Sequence, residues 1–445
     1  MLEELVVGLD GMNEKHAAVT LLDALSRHSK IFEQYDGVAR CYFKIKEYDK
    51  AFKFAEKALV KSSGNSYAAK YNVINAANHA NHPERALTLI KQLELINPND
   101  TDVQMEKAFA LFLMNQKDKA EAILRKELNN PKNNEETKTK IRFNLGTYEM
   151  SRDEFHSGLK KFLFEGRKMS FWQKPKLPYP EWDGNPEPGK TIVLRSEAGM
   201  GDEFVNVRFM HHLKELGMNP IWFSDRKDVA KLFNRNGFKT VTDVFELKKE
   251  KNIAWIHSMD TPIYLNLEYK DLWKGPYFKA DQELVEKYKS IISSPKLKIG
   301  LRWQGFPGYD QDLHRSIPLK EIYDSVKHLN ADFYSLQRDN GMEEIGDMPI
   351  VDLSDKLTDF DQTLAIIENL DLVITSCTSI VHAAAAMGKP VVVLVPISSY
   401  YVWCHTTEKS PWYGDNVTIL RQQKPRVWDE PLAKLKEFVN ENYNH

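Results

Sequence analysis

Three clusters of side chains in this sequence have the types and spacing to do chemistry. The first is Ser196-Glu197-Ala198-Gly199-Met200-Gly201-Asp202-Glu203. Gly199 and Gly201 permit positive φ and close backbone approach. A helix beginning near Asp202 would turn its free N–H groups toward an anion or an acceptor oxygen. Asp202 reads either as the N-cap of that helix or as a carboxylate offered to a ligand. The loop is neither GxGxxG nor a P-loop, since no Lys-Ser/Thr follows. The second cluster is His314-Arg315-Ser316, at the end of a polar loop opened by Trp303. Arg315 brings a planar fork and Ser316 a donor, a pair suited to phosphate. The third is Thr375-Ser376-Cys377-Thr378-Ser379-Ile380-Val381-His382. Hydroxyls and open N–H groups at a helix start suit a pyrophosphate. His382, one turn into that helix, reads either as a core histidine or as a ligand-side one.

The elements around these clusters must place them at strand ends. Thr191–Arg195 is a short, partly β-branched strand before the first cluster, and a helical pattern follows from Phe204 to Leu216. PIWFS, KTVTDV and NIAWIH read as further strands. A second set opens at Lys298–Trp303. It continues through a helix after Pro318, DFYSLQ, a helix over Leu364–Leu370, LDLVIT, a helix over Ser379–Met387 and KPVVVLVP. Alternation of this kind predicts parallel sheets covered by helices on both faces. Two sets, each opening with a strand and a polar loop, predict two doubly wound domains facing one cleft. An amphipathic helix, WDEPLAKLKEFVNENY, closes the pattern.

The first half is different: it repeats. Ala51, Ala86, Ala120 and Gly158 stand 35, 34 and 38 residues apart, each opening the second helix of a pair, and Ala17 with Ala24 marks a degenerate first unit. The reading is a stack of helix pairs, each burying its apolar face on the next. The expected division is 1–170 for the repeats, 171–190 for a Pro- and Gly-rich linker or strap, 191–290 for an N-terminal doubly wound domain and 291–445 for a C-terminal one. An α-solenoid therefore precedes an α/β core. A repeat array performs no reaction of its own. It presents a face to a peptide or a partner subunit, or it holds a dimer together.

Composition narrows the function classes. The 445 residues carry 61 Lys and Arg against 63 Asp and Glu, for a net charge of −2. That balance disfavours a general nucleic-acid coat, which needs massed cations. Mean hydropathy is −0.50, and no apolar run approaches a membrane span. The acidic start MLEELVVGLD does not read as a signal peptide. Three scattered cysteines, Cys41, Cys377 and Cys404, make neither a disulfide framework nor a metal site, and a cytoplasmic setting is expected. The tract Asp310-Gln311-Asp312 has the spacing of a metal-binding DxD and reads as a solvated loop, so no metal ligands are assigned. The lysine patches Lys174–Lys176 and Lys248–Lys251 read as solvated faces.

Taken in order, EAGMGDE, GLRWQGFPGYDQDLHRSIPL, LTDFDQTLAIIENLDLVITSCTSIVHAAAAMGKPVVVLVP and SPWYGDNVTILRQ resemble a known family. The chain looks like the bacterial and phage glycosyltransferases that join tetratricopeptide (TPR) repeats to a GT-B core, related to the ADP-heptose:lipopolysaccharide heptosyltransferases. More distantly it is similar to the O-linked N-acetylglucosamine transferases. The resemblance runs from about Leu5 to Phe438. It implies a glycosyltransferase that is inverting and needs neither metal nor cofactor. A nucleotide sugar would be the donor and an acceptor hydroxyl the substrate. By this resemblance Asp202, in the Gly199-Met-Gly201-Asp202 turn with Glu197 ahead of it, is the catalytic base. Arg315 and Ser316 lie near the donor diphosphate. Ser376, Cys377, Thr378, Ser379 and His382 lie on the nucleotide side, with Cys377 where the family more often has Asp. Gln337, closing Phe333-Tyr-Ser-Leu-Gln337, and Trp412, in Ser410-Pro-Trp-Tyr413, help shape the donor pocket. Expected partners are a glycan, protein or other hydroxyl-bearing acceptor, a peptide or subunit on the repeat face, and a second copy of the chain. The alternative reading is a non-catalytic TPR scaffold whose GT-B-like half only binds nucleotide or glycan. A third, a sugar epimerase of the same fold, would need a second acid/base group that the sequence does not offer.

Overall fold

The structure is a computed structural model, and it describes residues 2–11, 14–171, 175–309, 312–338 and 340–443. Contacts divide the chain into two compact units: residues 1–141 with 307–314 and 423–427, and residues 142–306 with 315–422 and 428–445.

Eight helices lie in the first unit: α1 (Leu2–Gly11), α2 (Lys15–His28), α3 (Phe32–Lys44), α4 (Tyr48–Lys61), α5 (Tyr67–His79), α6 (Pro83–Ile96), α7 (Thr101–Leu113) and α8 (Lys117–Leu128). A ninth, α9 (Glu135–Ser151), begins there and ends in the second unit, which also holds α10 (Phe155–Lys168). The repeat is visible in the backbone. Lys46, Asn81, Asn115 and Asp153 all adopt left-handed φ, between 57° and 64°. Each stands five residues before the Ala51, Ala86, Ala120 or Gly158 of its pair. The next residue donates back across the helix end, from Glu47 to Tyr42, His82 to Ala77, Gln116 to Leu111 and Glu154 to Glu149, at 2.7–3.1 Å. This is one Schellman-type stop used four times, and Asn or Asp occupies three of the four left-handed sites, as their short polar side chains favour. Ala51, Ala86 and Ala120 are fully buried. In the first pair the small buried residue is Ala18, not Ala17, and Ala24 is exposed. The tightest pair is α9 with α10, where a Cβ on Gly158 would lie 2.7 Å from the Gly146 carbonyl oxygen.

The second unit carries two parallel sheets. One is built from β1 (Thr191–Arg195), β2 (Asn219–Phe223), β3 (Thr240–Val241) and β4 (Ile253–His257), in the order β3-β2-β1-β4. The other uses β5 (Leu297–Arg302), β6 (Ala331–Ser335), β7 (Ile350–Val351), β8 (Leu372–Ser376), β9 (Val391–Val395), β10 (Lys409–Ser410) and β11 (Gly414–Arg421), in the order β10-β11-β9-β8-β5-β6-β7. Without its antiparallel edge strand β10, that sheet has the 3-2-1-4-5-6 order of a doubly wound fold, and the smaller sheet is the 3-2-1-4 portion of the same order. Each lobe therefore has a switch point, between β1 and β4 in one and between β5 and β8 in the other. There the loops leaving the strand ends diverge and open a crevice.

Helices accompany both sheets: α11 (Met200–Asn206), α12 (Phe209–Glu215), α13 (Lys227–Arg235), α14 (Thr261–Tyr264) and α15 (Gln282–Lys289), then, after α16 (Asp312–Arg315), whose first three residues belong to the first unit, α17 (Leu319–Val326), α18 (Phe360–Glu368), α19 (Ser379–Ala386) and α20 (Asp429–Tyr443). The linker expectation falls partly on residues 172–174, outside the described residues. From Lys176 on the segment is a strap. Trp182 and Trp255 are bonded across it, Trp182 N–H to the Trp255 carbonyl (2.8 Å) and Trp255 N–H to the Pro180 carbonyl (2.9 Å). It runs along the free edge of β4.

Candidate active site

The loop leaving β1 reaches α11 by one left-handed residue, and that residue is Ala198 (φ 55°), not a glycine. Gly199 is extended at φ −90° and is the N-cap; α11 starts at Met200. Asp202 is consequently the third residue of the helix and not its cap. Its Oδ2 reaches back to accept the Gly199 N–H at 2.9 Å, satisfying one of the donors a helix start leaves open. The carboxyl is 9% exposed, and Oδ1 is buried with no hydrogen bond closed on it. Burial pushes its pKa up to about 6; the Tyr400 phenol and the Gly199 N–H pull the other way, and the Glu197 charge adds to the rise. A buried carboxylate with open lone pairs and a pKa near neutrality suits proton abstraction.

Gly201 has a packing role. A Cβ there would sit 2.8 Å from His382 Cδ2 and 3.6 Å from the Ser379 Cα. The glycine lets α11 of one lobe lie directly on α19 of the other. His382 is 6% exposed. Its Nδ1 is 2.9 Å from the Tyr413 hydroxyl, and its ring stacks on Trp403 at 5.5 Å. Burial first, then the charges of Arg208 and Arg315, hold its pKa down at about 3, so the imidazole is neutral.

At the end of β8 the hydroxyl cluster is largely turned to local work. Thr378 caps α19, accepting the Ile380 N–H at 3.4 Å, and Thr375 Oγ1 donates to the Ser376 carbonyl at 2.7 Å. Ser376 Oγ is fully buried and has no partner. Ser379, the first residue of α19, is half-buried. Arg315, the last residue of α16, donates from Nη1 to the Cys377 carbonyl at 2.9 Å. It thus ties the loop after β5 to the loop after β8, across the switch point. Ser316, the next residue, is half-buried. His314 lies in the first unit, buried near His79 and Arg426, and burial holds its pKa down at about 4.

Two residues expected to help shape the donor pocket are fully buried. Gln337 is fully buried and braces loops: its Oε1 accepts the Gln304 N–H (3.2 Å) and its Nε2 donates to the Asn340 carbonyl (2.7 Å). Trp412 is fully buried among Phe155, Phe209 and Tyr401. Asp310 and Gln311 of the DxD-spaced tract lie outside the described residues.

Glu197, which the sequence reading placed in the glycine turn, gathers groups that reading passed over, and Arg208 and Asn206 were passed over as well. Glu197 is fully buried and grips Arg167, the guanidinium at the end of α10, at 3.0–3.3 Å. Arg167 also holds both oxygens of Asp260 at 2.7 Å, and His257 Nδ1 lies 3.0 Å from Glu197 Oε1. Glu197 follows β1, His257 ends β4 and Asp260 follows it, so these three share that switch point with Asp202, and Arg167 reaches them from the end of α10. Arg208, one helical segment beyond Asp202, donates from Nη2 to the Tyr277 hydroxyl (2.7 Å) and from Nη1 to the Trp412 carbonyl. Its guanidinium carbon is 4.5 Å from the Tyr413 ring centre. Asn206 Nδ2 donates to the Tyr401 hydroxyl at 3.2 Å. Asn206 was findable from helical spacing, since it follows Asp202 by four residues on α11; Arg208, in the turn before α12, was not.

No family model matches the chain. Among curated proteins it is similar to Protein FlbA of Caulobacter vibrioides, 22% identical over 296 residues, which is 58% of this chain and 48% of FlbA. The chain thus spans about half the length of that relative. Among solved structures it is similar to a family 9 glycosyltransferase from Veillonella parvula, at 12% identity and a TM-score of 0.38, covering 54% of this chain and 87% of that one. It is also similar to the O-GlcNAc transferase of Thermobaculum terrenum, at 13% identity and a TM-score of 0.31, covering 92% of each chain.

Proposed function

We propose that the chain is an inverting, metal-independent glycosyltransferase that moves a sugar from a nucleotide sugar to an acceptor hydroxyl. Asp202 is the base that takes the acceptor proton. Arg315, Ser316 and the start of α19, capped by Thr378, face the leaving diphosphate. The observation that carries this reading is the meeting of both switch points at the crossing of α11 and α19. One brings a buried carboxylate with an open oxygen, the other an arginine and a helix N-terminus. A base near the acceptor hydroxyl and cationic or dipolar groups near the leaving phosphate are what displacement at an anomeric carbon needs. The neutral His382 and the Arg208–Tyr413 stack hold the two lobes in register. The acceptor class extends to glycans, proteins and other hydroxyl-bearing molecules.

The test is product analysis with labelled nucleotide sugars, in the presence of candidate acceptors and of water alone. The expected result is slow release of sugar or its transfer, with inverted anomeric configuration, from one donor class. A second reading, a module that binds nucleotide or glycan without turnover, is favoured by Cys377 standing where a charged residue is more common. It predicts that a nucleoside diphosphate raises the melting temperature while no donor is consumed.

A further inference from the structure

The last helix of the repeats does more than close the stack. α10 lies in the same compact unit as both sheets, and it reaches the surroundings of Asp202 by two routes. Arg167 reaches the loop after β1. Its Nε and Nη2 fork onto Glu197 at 3.0–3.3 Å, and its Nη1 holds both oxygens of Asp260 at 2.7 Å. Phe162 reaches the loop after β9, its ring centre 6.1 Å from that of Tyr401. Asn206 Nδ2 joins that loop to the base: it donates to the Tyr401 hydroxyl at 3.2 Å and to the Asp202 carbonyl at 2.8 Å.

The first route fixes the turn that carries Asp202. Glu197 is 1% exposed. Between it and Asp202, the left-handed Ala198 offers its carbonyl to Arg226 Nη2 (3.4 Å), and Gly199 donates its N–H to Asp202 Oδ2 (2.9 Å). A carboxylate stays ionised in such a place only when it is paired, and Arg167 supplies the pairing charge. A single guanidinium faces both Glu197 and Asp260, so the cluster is net negative when both are ionised. His257 Nδ1, 3.0 Å from Glu197 Oε1, is the other group of the cluster that can carry positive charge. Around Asp202 stand Glu197, the phenols of Tyr400 and Tyr401 from the loop after β9, and the neutral His382 of α19. Of these, Glu197 brings the charge. A like charge behind a carboxylate makes it hold a proton more tightly, which is a stronger base.

We propose that Arg167 and Glu197 are positioning residues for the base: the guanidinium of the last repeat helix locks the turn that carries Asp202 and keeps a second carboxylate ionised behind it. The repeat half thereby contributes a residue to the transfer site. The assignment deepens the glycosyl-transfer reading and rests on it for the role of Asp202 as base, while the charge link is measured without any donor.

The experiment is carbon-13 NMR of the full chain labelled at aspartate Cγ, titrated from pH 8 to 4.5 in the absence of donor. The Asp202 and Asp260 signals are identified by their loss in Asp202→Asn and Asp260→Asn. In wild type Asp202 should titrate near 6. Glu197→Gln keeps an oxygen for Arg167 and removes the charge, so the Asp202 midpoint should fall by about one pH unit, the scale of one nearby charge. Glu197→Asp restores the charge and should bring the midpoint back toward the wild-type value. With labelled donor at pH 8, Glu197→Gln should turn over about threefold more slowly through its weaker base, at unchanged donor KM. If Glu197→Gln does not fold, Arg167→Met combined with Glu197→Met carries the same titration, since it replaces the ion pair by apolar chains of similar length. An Asp202 midpoint unmoved in Glu197→Gln, or lowered as far in Glu197→Asp, overturns the proposal. A wild type that shows the midpoint shift but consumes no donor supports the charge link and overturns the glycosyl-transfer reading alone.

Discussion

The side chain on which the proposed chemistry turns is Asp202, and its environment sets the pH at which it can act. Burial raises its pKa to about 6, so the carboxylate form needed by a base is lost as pH falls through 6. Turnover is therefore expected to drop about tenfold per pH unit below that value and to level off above it. Asp260 is also raised by burial to about 6, which makes the assignment a question for mutants. Asp260→Asn still offers its amide oxygen to Arg167, and the acid limb should persist in it. A limb that vanishes in Asp260→Asn would move the titration from Asp202 to the Arg167 cluster. The site was half legible in the sequence. Asp202, Arg315 and His382 stand out because turns of glycine and hydroxyl residues mark strand ends. Arg167, His257 and Asp260 stand in no such turn, and only the fold brings them to Glu197. Gln337 and Trp412 belong to recognisable motifs, but no motif tells whether a side chain faces a cleft or a core.

For the helices and strands, glycine is where sequence and packing speak most directly. Gly37 in α3 has nothing within 4 Å of a built Cβ, so Gly37→Ala should stabilise by about 0.5–1 kcal/mol through helix propensity alone. Gly158→Ala should do the opposite, by about 1–3 kcal/mol, because its Cβ would meet the Gly146 carbonyl oxygen and the Met150 nitrogen at 2.7 Å. Gly201→Ala meets the edge of the His382 ring instead, and a ring can move where backbone cannot. Urea unfolding of the three variants should give the order Gly37→Ala, Gly201→Ala, Gly158→Ala from most to least stable. A Gly158→Ala protein as stable as wild type would contradict the close α9–α10 contact. The repeats were legible because small residues recur with their period. Most of the longer strands, β1 to β9, were legible as short apolar runs at the expected places. Strand β11 was not, since Asp415, Asn416 and Thr418 break its apolar pattern. Of the two-residue strands, β3 was read within KTVTDV, while β7 and β10 stand in no apolar or β-branched run long enough to give a signal.

At the scale of the whole chain, the buried histidines fix the direction of acid sensitivity. Burial depresses His314 to about 4, and His382 and His405 to about 3. Each would be protonated at 6.5 when unfolded, so the unfolded chain binds more protons between pH 6.5 and 4, and stability falls as pH falls through that window. Asp202 and Asp260, raised to about 6, act in the opposite sense between 6 and 4. Three histidines against two carboxyls leave a net loss. The melting temperature should decline from pH 6.5 to 4, and a flat or rising profile would contradict the burial of these rings. The doubly wound order of both lobes places the loops after β1 and β4, and after β5 and β8, where ligands are met. The sequence could announce two such lobes but not that α11 and α19 would touch. The most direct measurement is single-turnover sugar transfer by Asp202→Asn beside wild type, with donor binding followed in the same samples. Donor affinity should be retained while the rate falls by about 10²–10⁴. Wild-type turnover in Asp202→Asn would contradict the account.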